Sequence, residues 1–317
     1  MESSRAEQGA VGWRTGSAIN EIRLRTDFLT VGKFRAYPSD HDFQTAGPII
    51  EPVFVFPRVP VWIQHEGREP FVADPTVMTC YNRRQRYVRR KLSEAGDDGD
   101  WFRIRLQVLQ EVVAMLDPER AEREDAPFAF SHCPCDARSY LMQRLIVRHI
   151  GECQRPDLIY VEETMLQVLA RCLRSAYHQW EKRQKTGAPR DNRRKLEMAQ
   201  HAKVILAKRF RESLSLSQLA GEVECSVFHL CHVFRQCFRT TIHSYRNQLR
   251  LRESLDLLGS PKADLTDIAL ALGYSSHSHF TFEFRRAFGR PPSAFRPVAS
   301  SHLLREFVSR TCGRHVS

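Results

Sequence analysis

"ALGYSSHSHFTFEFRRAFGRPPSAFR", Ala271 to Arg296, places four phenylalanines within nine residues, just after a Gly-Tyr-Ser-Ser turn. Phe280, Phe282 and Phe284 alternate as in a strand. Phe280, Phe284 and Phe288 also keep the i, i+4, i+8 spacing of one helix face. Ser275 and Ser276 ahead of the run are helix N-cap residues, and Gly289 with Pro291 behind it forms a stop. The stretch therefore reads as a short helix that buries the stripe Phe280, Phe284 and Phe288. Phe282 lies off the stripe and faces outward.

The same pattern occurs earlier in the chain. "LSQLAGEVECSVFHLCHVFRQCF", Leu216 to Phe238, superimposes on "LTDIALALGYSSHSHFTFEFRRAF", Leu265 to Phe288. Leu219, Ala220 and Val223 match Ile268, Ala269 and Leu272 at an offset of 49; Leu230, Phe234, Arg235 and Phe238 match Phe280, Phe284, Arg285 and Phe288 at an offset of 50. One extra residue in the second turn accounts for the difference. Each copy is a short helix, a tight turn and a second helix, with a small alanine where the two helices cross. That is the helix-turn-helix plan, whose second helix enters the DNA major groove. Between the copies, "TIHSYRNQLRLRESLDLL", Thr241 to Leu258, reads as one helix ended by Gly259-Ser260-Pro261. Its eighteen residues span ~27 Å, comparable with the ~34 Å between successive major-groove faces on one side of a duplex.

With these motifs in place, Leu196 to Arg296 resembles the DNA-binding domain of the AraC/XylS transcriptional regulators. The "LSLSQLA" opening, the "DIALALGYSSHSHFTFEFRRAFGRPPSAFR" close and the two-copy plan carry the likeness over about a hundred residues. One departure is Glu224, where the family's first turn usually carries glycine; a left-handed non-glycine residue costs of order 1 kcal/mol. Carried over position by position, the family pattern assigns the reading of base edges to Phe228, Cys231 and His232, then His277, Ser278, Thr281 and Phe282. Phe282 would press on thymine methyl groups, and the two histidines would donate to guanine. Arg235, Arg239, Arg246, Arg285, Arg286, Arg290 and Arg296 lie at or just beyond these helices, as phosphate contacts would. Ser226 and Ser276 begin the helices, where amide groups favour anions.

The charge distribution points the same way. From Arg190 onward there are 21 Lys+Arg and 11 Asp+Glu, a net +10, whereas the 189 residues before carry +1 of the chain's +11. A basic C-terminal part suits a polyanion.

From Phe28 to about Trp101, β-prone runs such as "PVFVFPRVPVWIQ" and "FVADPTVMTCYN" alternate with turns, as in a sandwich or barrel. Met1 to Glu21 reads as polar and frayed, and "EAGDDGD", Glu94 to Asp100, as a loop. Helical spacing follows in "WFRIRLQVLQEVVAML", Trp101–Leu116, with Leu106, Leu109 and Val113 on one face, and in Ala137–Ile150 and Leu158–Trp180. The resemblance implies a cupin-like, effector-sensing β-barrel with dimerisation helices over 22–183, a linker over 184–195 and the DNA-binding domain over 196–298, an α+β chain overall. Trp62, Tyr81, Trp101 and Phe102 are candidates to line an effector pocket.

The expected partners are double-stranded operator DNA, a second copy of the chain, a small-molecule effector and RNA polymerase. The polar N-terminus, the lack of a spanning apolar run and an odd count of nine cysteines point to a cytoplasmic protein with reduced thiols and no membrane partner. His229/His232 and His132/Cys133/Cys135 have metal-ligand spacings but lack the rest of a zinc set, so no cofactor, metal or catalytic residue is assigned. One alternative is a DNA-repair methyl acceptor, although "PCDARS" has aspartate where a histidine would activate the thiol. Others are a regulator without ligand and a metal-dependent barrel using His41 and His65.

Overall fold

The computed structural model describes residues 19–41, 43–185, 192–260 and 263–296. Much of the 184–195 linker, and Pro261 in the expected stop after the joining helix, lie outside them. The chain is α+β and forms two compact units. Among the described residues, one comprises 19–71 together with Thr79–His132, and the other comprises Val72–Met78 and 133–296.

The strands are β1 (Ile19–Arg25), β2 (Leu29–Ala36), β3 (Thr45–Ala46), β4 (Val53–Pro57), β5 (Val61–His65), β6 (Phe71–Ala73), β7 (Val77–Tyr81), β8 (Tyr87–Lys91), β9 (Asp97–Ile104) and β10 (His132–Pro134). They form a six-stranded sheet in the order β1-β2-β9-β4-β7-β10 and a four-stranded sheet in the order β3-β8-β5-β6. The pairs β1–β2, β2–β9, β9–β4, β4–β7, β3–β8 and β8–β5 are antiparallel. Side chains of the two sheets meet: His65 of β5 lies 4.8 Å from the Tyr81 ring of β7, and the Arg89 guanidinium of β8 lies 5.0 Å from the Phe34 ring of β2. In β5 the alternation is strict, with Val61, Ile63 and His65 buried and Trp62 and Gln64 half-buried.

Two sequence expectations change here. The polar start of the chain is already strand from Ile19, because β1 lines up along β2 from Ile19↔Arg35 onward. The acidic "loop" is also largely strand. Asp97 to Asp100 open β9, opposite Ala36 to Lys33 of β2. Asp and Gly disfavour strands when exposed, but here each acid meets a cation. Asp97 pairs with buried Arg89 at 3.1 Å, Asp98 with Arg35 at 2.8 Å, and Asp100 with Arg58 at 3.2 Å. Burial pushes the Asp97 carboxyl up and Arg89 opposes it.

The first unit also contains α1 (Leu106–Ala114) and α2 (Pro118–Ala121). The helix starts later than its sequence stretch, because Trp101–Ile104 still pair along β2 as the end of β9; Leu109 and Val113 of α1 are buried, as their spacing predicts, while Leu106 is half-buried. The second unit holds α3 (Ala137–Glu152), α4 (Leu158–Lys185), α5 (Asn192–Arg209), α6 (Leu216–Glu222), α7 (Val227–Phe238), α8 (Ile242–Leu257), α9 (Leu265–Ala271) and α10 (His277–Phe288). α3 is held to α8 by the Arg144–Asp256 ion pair and to the segment after α10 by Arg148, which donates to the Phe295 carbonyl at 2.7 Å. Among the described residues no helix is long and apolar enough to cross a membrane.

Candidate DNA interface

Helices α6 and α7, then α9 and α10, are the two motifs, and α8 joins them. α6 opens on a reciprocal cap in which Gln218 N–H donates to Ser215 and Ser215 N–H donates back to the Gln218 side chain. α7 and α10 are twelve residues each and open alike: His229 N–H donates to Ser226 Oγ at 3.2 Å, and His279 N–H to Ser276 Oγ at 3.1 Å. Both serine hydroxyls are therefore helix caps, worth about 1 kcal/mol each.

The inward faces match the sequence stripes. Leu230 and Phe234 of α7 are buried, while Phe238 is partly buried against the core of Leu206, Leu219, Tyr245 and Leu249. Phe280, Phe284 and Phe288 of α10 are buried, and their successive ring centroids lie 5.6 and 4.7 Å apart. The outward faces carry the base-reading candidates other than Cys231. Phe228 is 81% exposed and stacks with exposed His232 at 6.3 Å. Cys231 is half-buried against the core. On α10, Ser278 is exposed and Phe282 is 63% exposed, while half-buried His277 and Thr281 lie within 3.3 Å of each other.

The arginines divide into two groups. Arg235, Arg239 and Arg285 are exposed, with no side-chain partner among the described residues. Arg286 pairs with Glu283 at 2.7 Å and sits 5.9 Å from the Phe282 ring. Arg246 donates to the Leu214 carbonyl at 2.9 Å, and Arg296 to the Ala263 carbonyl at 2.6 Å. These last two guanidinium groups already hold backbone at the starts of the two motifs. Arg290 is half-buried beyond α10.

Sequence reasoning missed the parts that set the helices in place. Asn247 of α8 accepts from Tyr274 Oη at 2.7 Å and donates to Glu283 Oε2 at 2.6 Å, tying the second turn and α10 to α8. Arg250 of α8 donates to the carbonyls of Phe210, Gly273 and Glu212, so one side chain links the end of α5 to the second turn. The available signal was polarity on the buried side of α8, where Arg250 and Arg252 are almost fully buried.

The effector candidates do not share one face. Trp101 and Phe102 are neighbours on β9 and point to opposite sides of the sheet. Trp101 lies over Gly32, where a Cβ would come within 2.3 Å of the indole, and donates to Asn20 at 2.8 Å. Phe102 stacks on Phe54, Trp62 carries Arg90 at 4.6 Å over its ring, and Tyr81 is buried beside His65 and Tyr87. Cys133 and Cys135 are buried, and a hydrogen bond to Cys135 together with burial pushes the Cys172 thiol well up.

A family model described as "Helix-turn-helix domain" matches residues 219–297. The Msm operon regulatory protein of Streptococcus mutans is 31% identical over 94 residues, 30% of this chain and 34% of that protein. The Proteus vulgaris protein named "Probable transcription factor PqrA" is 31% identical over 85 residues, 27% of this chain and 70% of that protein. A solved AraC-type transcriptional regulator from Chromobacterium violaceum is 29% identical with a TM-score of 0.30, covering 32% of this chain and 89% of that one. The chain spans about a third of the length of the first curated relatives it matches. The Proteus relative, matched over more than two thirds of its length, and the family model, which falls on the two motifs built from α6 to α10, place the family: the chain belongs to the AraC/XylS family of DNA-binding transcriptional regulators.

Proposed function

We propose that the chain is a sequence-specific regulator that lays α7 and α10 into successive major grooves. The observation that carries this reading is the pair of matched twelve-residue helices, each with a buried apolar stripe and an exposed aromatic, Phe228 or Phe282, on its other face. Phe228, Cys231, His232, His277, Ser278, Thr281 and Phe282 are the proposed base readers. Neither helix offers an arginine fork at its centre, so preference leans on thymine methyls and duplex shape. Arg235, Arg239 and Arg285, exposed and without a side-chain partner among the described residues, are the principal phosphate contacts; Arg246, Arg286, Arg290 and Arg296, with the amides after Ser226 and Ser276, are secondary.

Effector control belongs to the β-rich unit, and Tyr81, in the aromatic cluster with His65, is the candidate best placed for it. Self-association falls to α4 rather than α3. The apolar side of α3 is used up inside the unit, whereas Ile159 is 78% and Trp180 49% exposed on α4. RNA polymerase and cytoplasmic residence follow from the regulatory role.

Selection of bound sequences from random duplexes, followed by anisotropy titration against salt, tests the reading. The wild type should enrich one motif, and Arg285→Ala should weaken all sequences about equally while lowering the log K against log salt slope by ~0.9. Failure to enrich any sequence, or a loss confined to one base pair, would contradict it.

A further inference from the structure

Val72–Met78 precedes the helix-turn-helix motifs by more than a hundred residues, yet it is part of the same compact unit. Its centre is Asp74, fully buried. Asp74 Oδ1 accepts from Thr76 N–H at 2.7 Å and Thr76 Oγ1 at 2.6 Å. Asp74 Oδ2 meets Lys203 Nζ of α5 at 3.0 Å and Tyr245 Oη of α8 at 2.8 Å. Lys203 is itself 6% exposed, and it also donates to the Val72 carbonyl at 3.3 Å. Its ammonium lies 5.3 Å from the Phe238 ring of α7 and 5.4 Å from the Tyr245 ring. Tyr245 in turn packs 5.8 Å from Phe234 of α7. The segment is held from its other side by Cys135 N–H, which donates to the Thr76 carbonyl at 2.9 Å.

One carboxylate thus ties α5 to α8, and the two side chains it holds, Lys203 and Tyr245, pack on Phe238 and Phe234 of α7. α8 is the element that spaces α7 from α10. Burying an ion pair is a poor way to gain stability, since apolar residues of similar volume serve as well or better; its attested use is to select one arrangement among several. We propose that Asp74 is a positioning residue for two-groove DNA recognition, setting the placement of α7 relative to α8 and so the spacing between α7 and α10. This rests on reading α7 and α10 as the groove-entering helices.

The test uses the full chain and a duplex selected by the wild type. Tyr245→Phe removes only the hydroxyl that ties Asp74 to α8. Asp74→Asn/Lys203→Met removes both charges and leaves no unpaired ammonium. Melting temperature is measured alongside affinity for the selected duplex and for duplexes with one or two base pairs inserted between the two contacted boxes. The wild type should lose at least ~10-fold on insertion, since each base pair moves the second groove by ~3.4 Å along the axis. Both variants should stay folded, bind the selected duplex about tenfold more weakly and tolerate the insertions within about threefold, a hydrogen bond to a charged group being worth about one such decade. Folded variants that keep wild-type affinity and spacing preference would reduce Asp74 to a counter-ion for Lys203 and overturn the proposal. If the double variant does not fold, Tyr245→Phe decides alone, and either result from it is decisive. A wild type that selects no duplex would instead overturn the reading of α7 and α10.

Discussion

Phe282 and Phe284 stand two residues apart and face different media. Phe284 is fully buried between Phe280 and Phe288 and also meets Phe295 at 5.3 Å. Phe284→Ala should cost about 3–5 kcal/mol of stability, because it leaves a cavity among rings that cannot collapse around it. Phe282 borders no core cavity; its nearest cationic neighbour is Arg286. Phe282→Ala should hardly move the melting temperature, yet lose about 1–3 kcal/mol of binding at one A·T pair if its ring rests on a thymine methyl. Thermal melts of both variants beside a single-base substitution scan of the selected duplex check this. Early melting of the Phe282 variant with a stable Phe284 variant would reverse the phase assigned to α10.

At the scale of elements, the two turns solve one problem differently. The α9–α10 turn uses Gly273 at φ +79°, where a Cβ would meet the Arg211 carbonyl at 2.1 Å. The α6–α7 turn places Glu224 in the same left-handed region at φ +54°. Glycine escapes the Cβ–carbonyl clash that other residues suffer there. Glu224→Gly should therefore stabilise the first motif by about 1 kcal/mol, less whatever the freer unfolded chain takes back. Chemical denaturation of the full chain reads this directly. A loss of stability instead would mean that the Glu224 side chain contributes more than its backbone geometry costs. Gly273→Ala should be strongly destabilising, since both the close carbonyl and the Arg250 guanidinium would have to shift.

At the scale of the whole molecule, the β-rich unit carries a pH dependence of its own. His65 is buried among Phe71, Tyr81 and Tyr87, and neither ring nitrogen has a hydrogen-bond partner among the described residues. Burial, with Arg68 nearby, pushes its pKa down from 6.5 to about 4. As pH falls below 6.5 the unfolded chain takes up a proton that the folded chain refuses, so stability is lost down to about pH 4 and then levels off. At 1.36 kcal/mol per pH unit the loss is about 3 kcal/mol. His65→Phe should flatten this part of the pH profile relative to wild type in urea unfolding followed by tryptophan fluorescence. Parallel profiles for the two proteins would show that His65 does not titrate between the folded and unfolded states.

The sequence by itself determined the helical half. Its two motifs, the phase of α7 and α10, and the outward placement of Phe228 and Phe282 all follow from a 3.6-residue period, capping serines and turn chemistry, which act within a few residues; Glu224 stands out only beside the family it resembles. Tertiary structure alone decided where the polar interior goes. "EAGDDGD" has the composition of a loop, and its second half enters a sheet because Arg35 arrives from β2, Arg58 from just beyond β4 and Arg89 from β8 of the other sheet. That Arg246 and Arg296 also hold the Leu214 and Ala263 carbonyls is visible only in the structure. Asp74 looks like a strand-end turn residue, and its partner Tyr245 lies 171 positions away. Local periodicity encodes which face of a helix is buried. It does not encode which distant charge will meet a buried acid, because that pairing exists only after the chain has closed the loop between them.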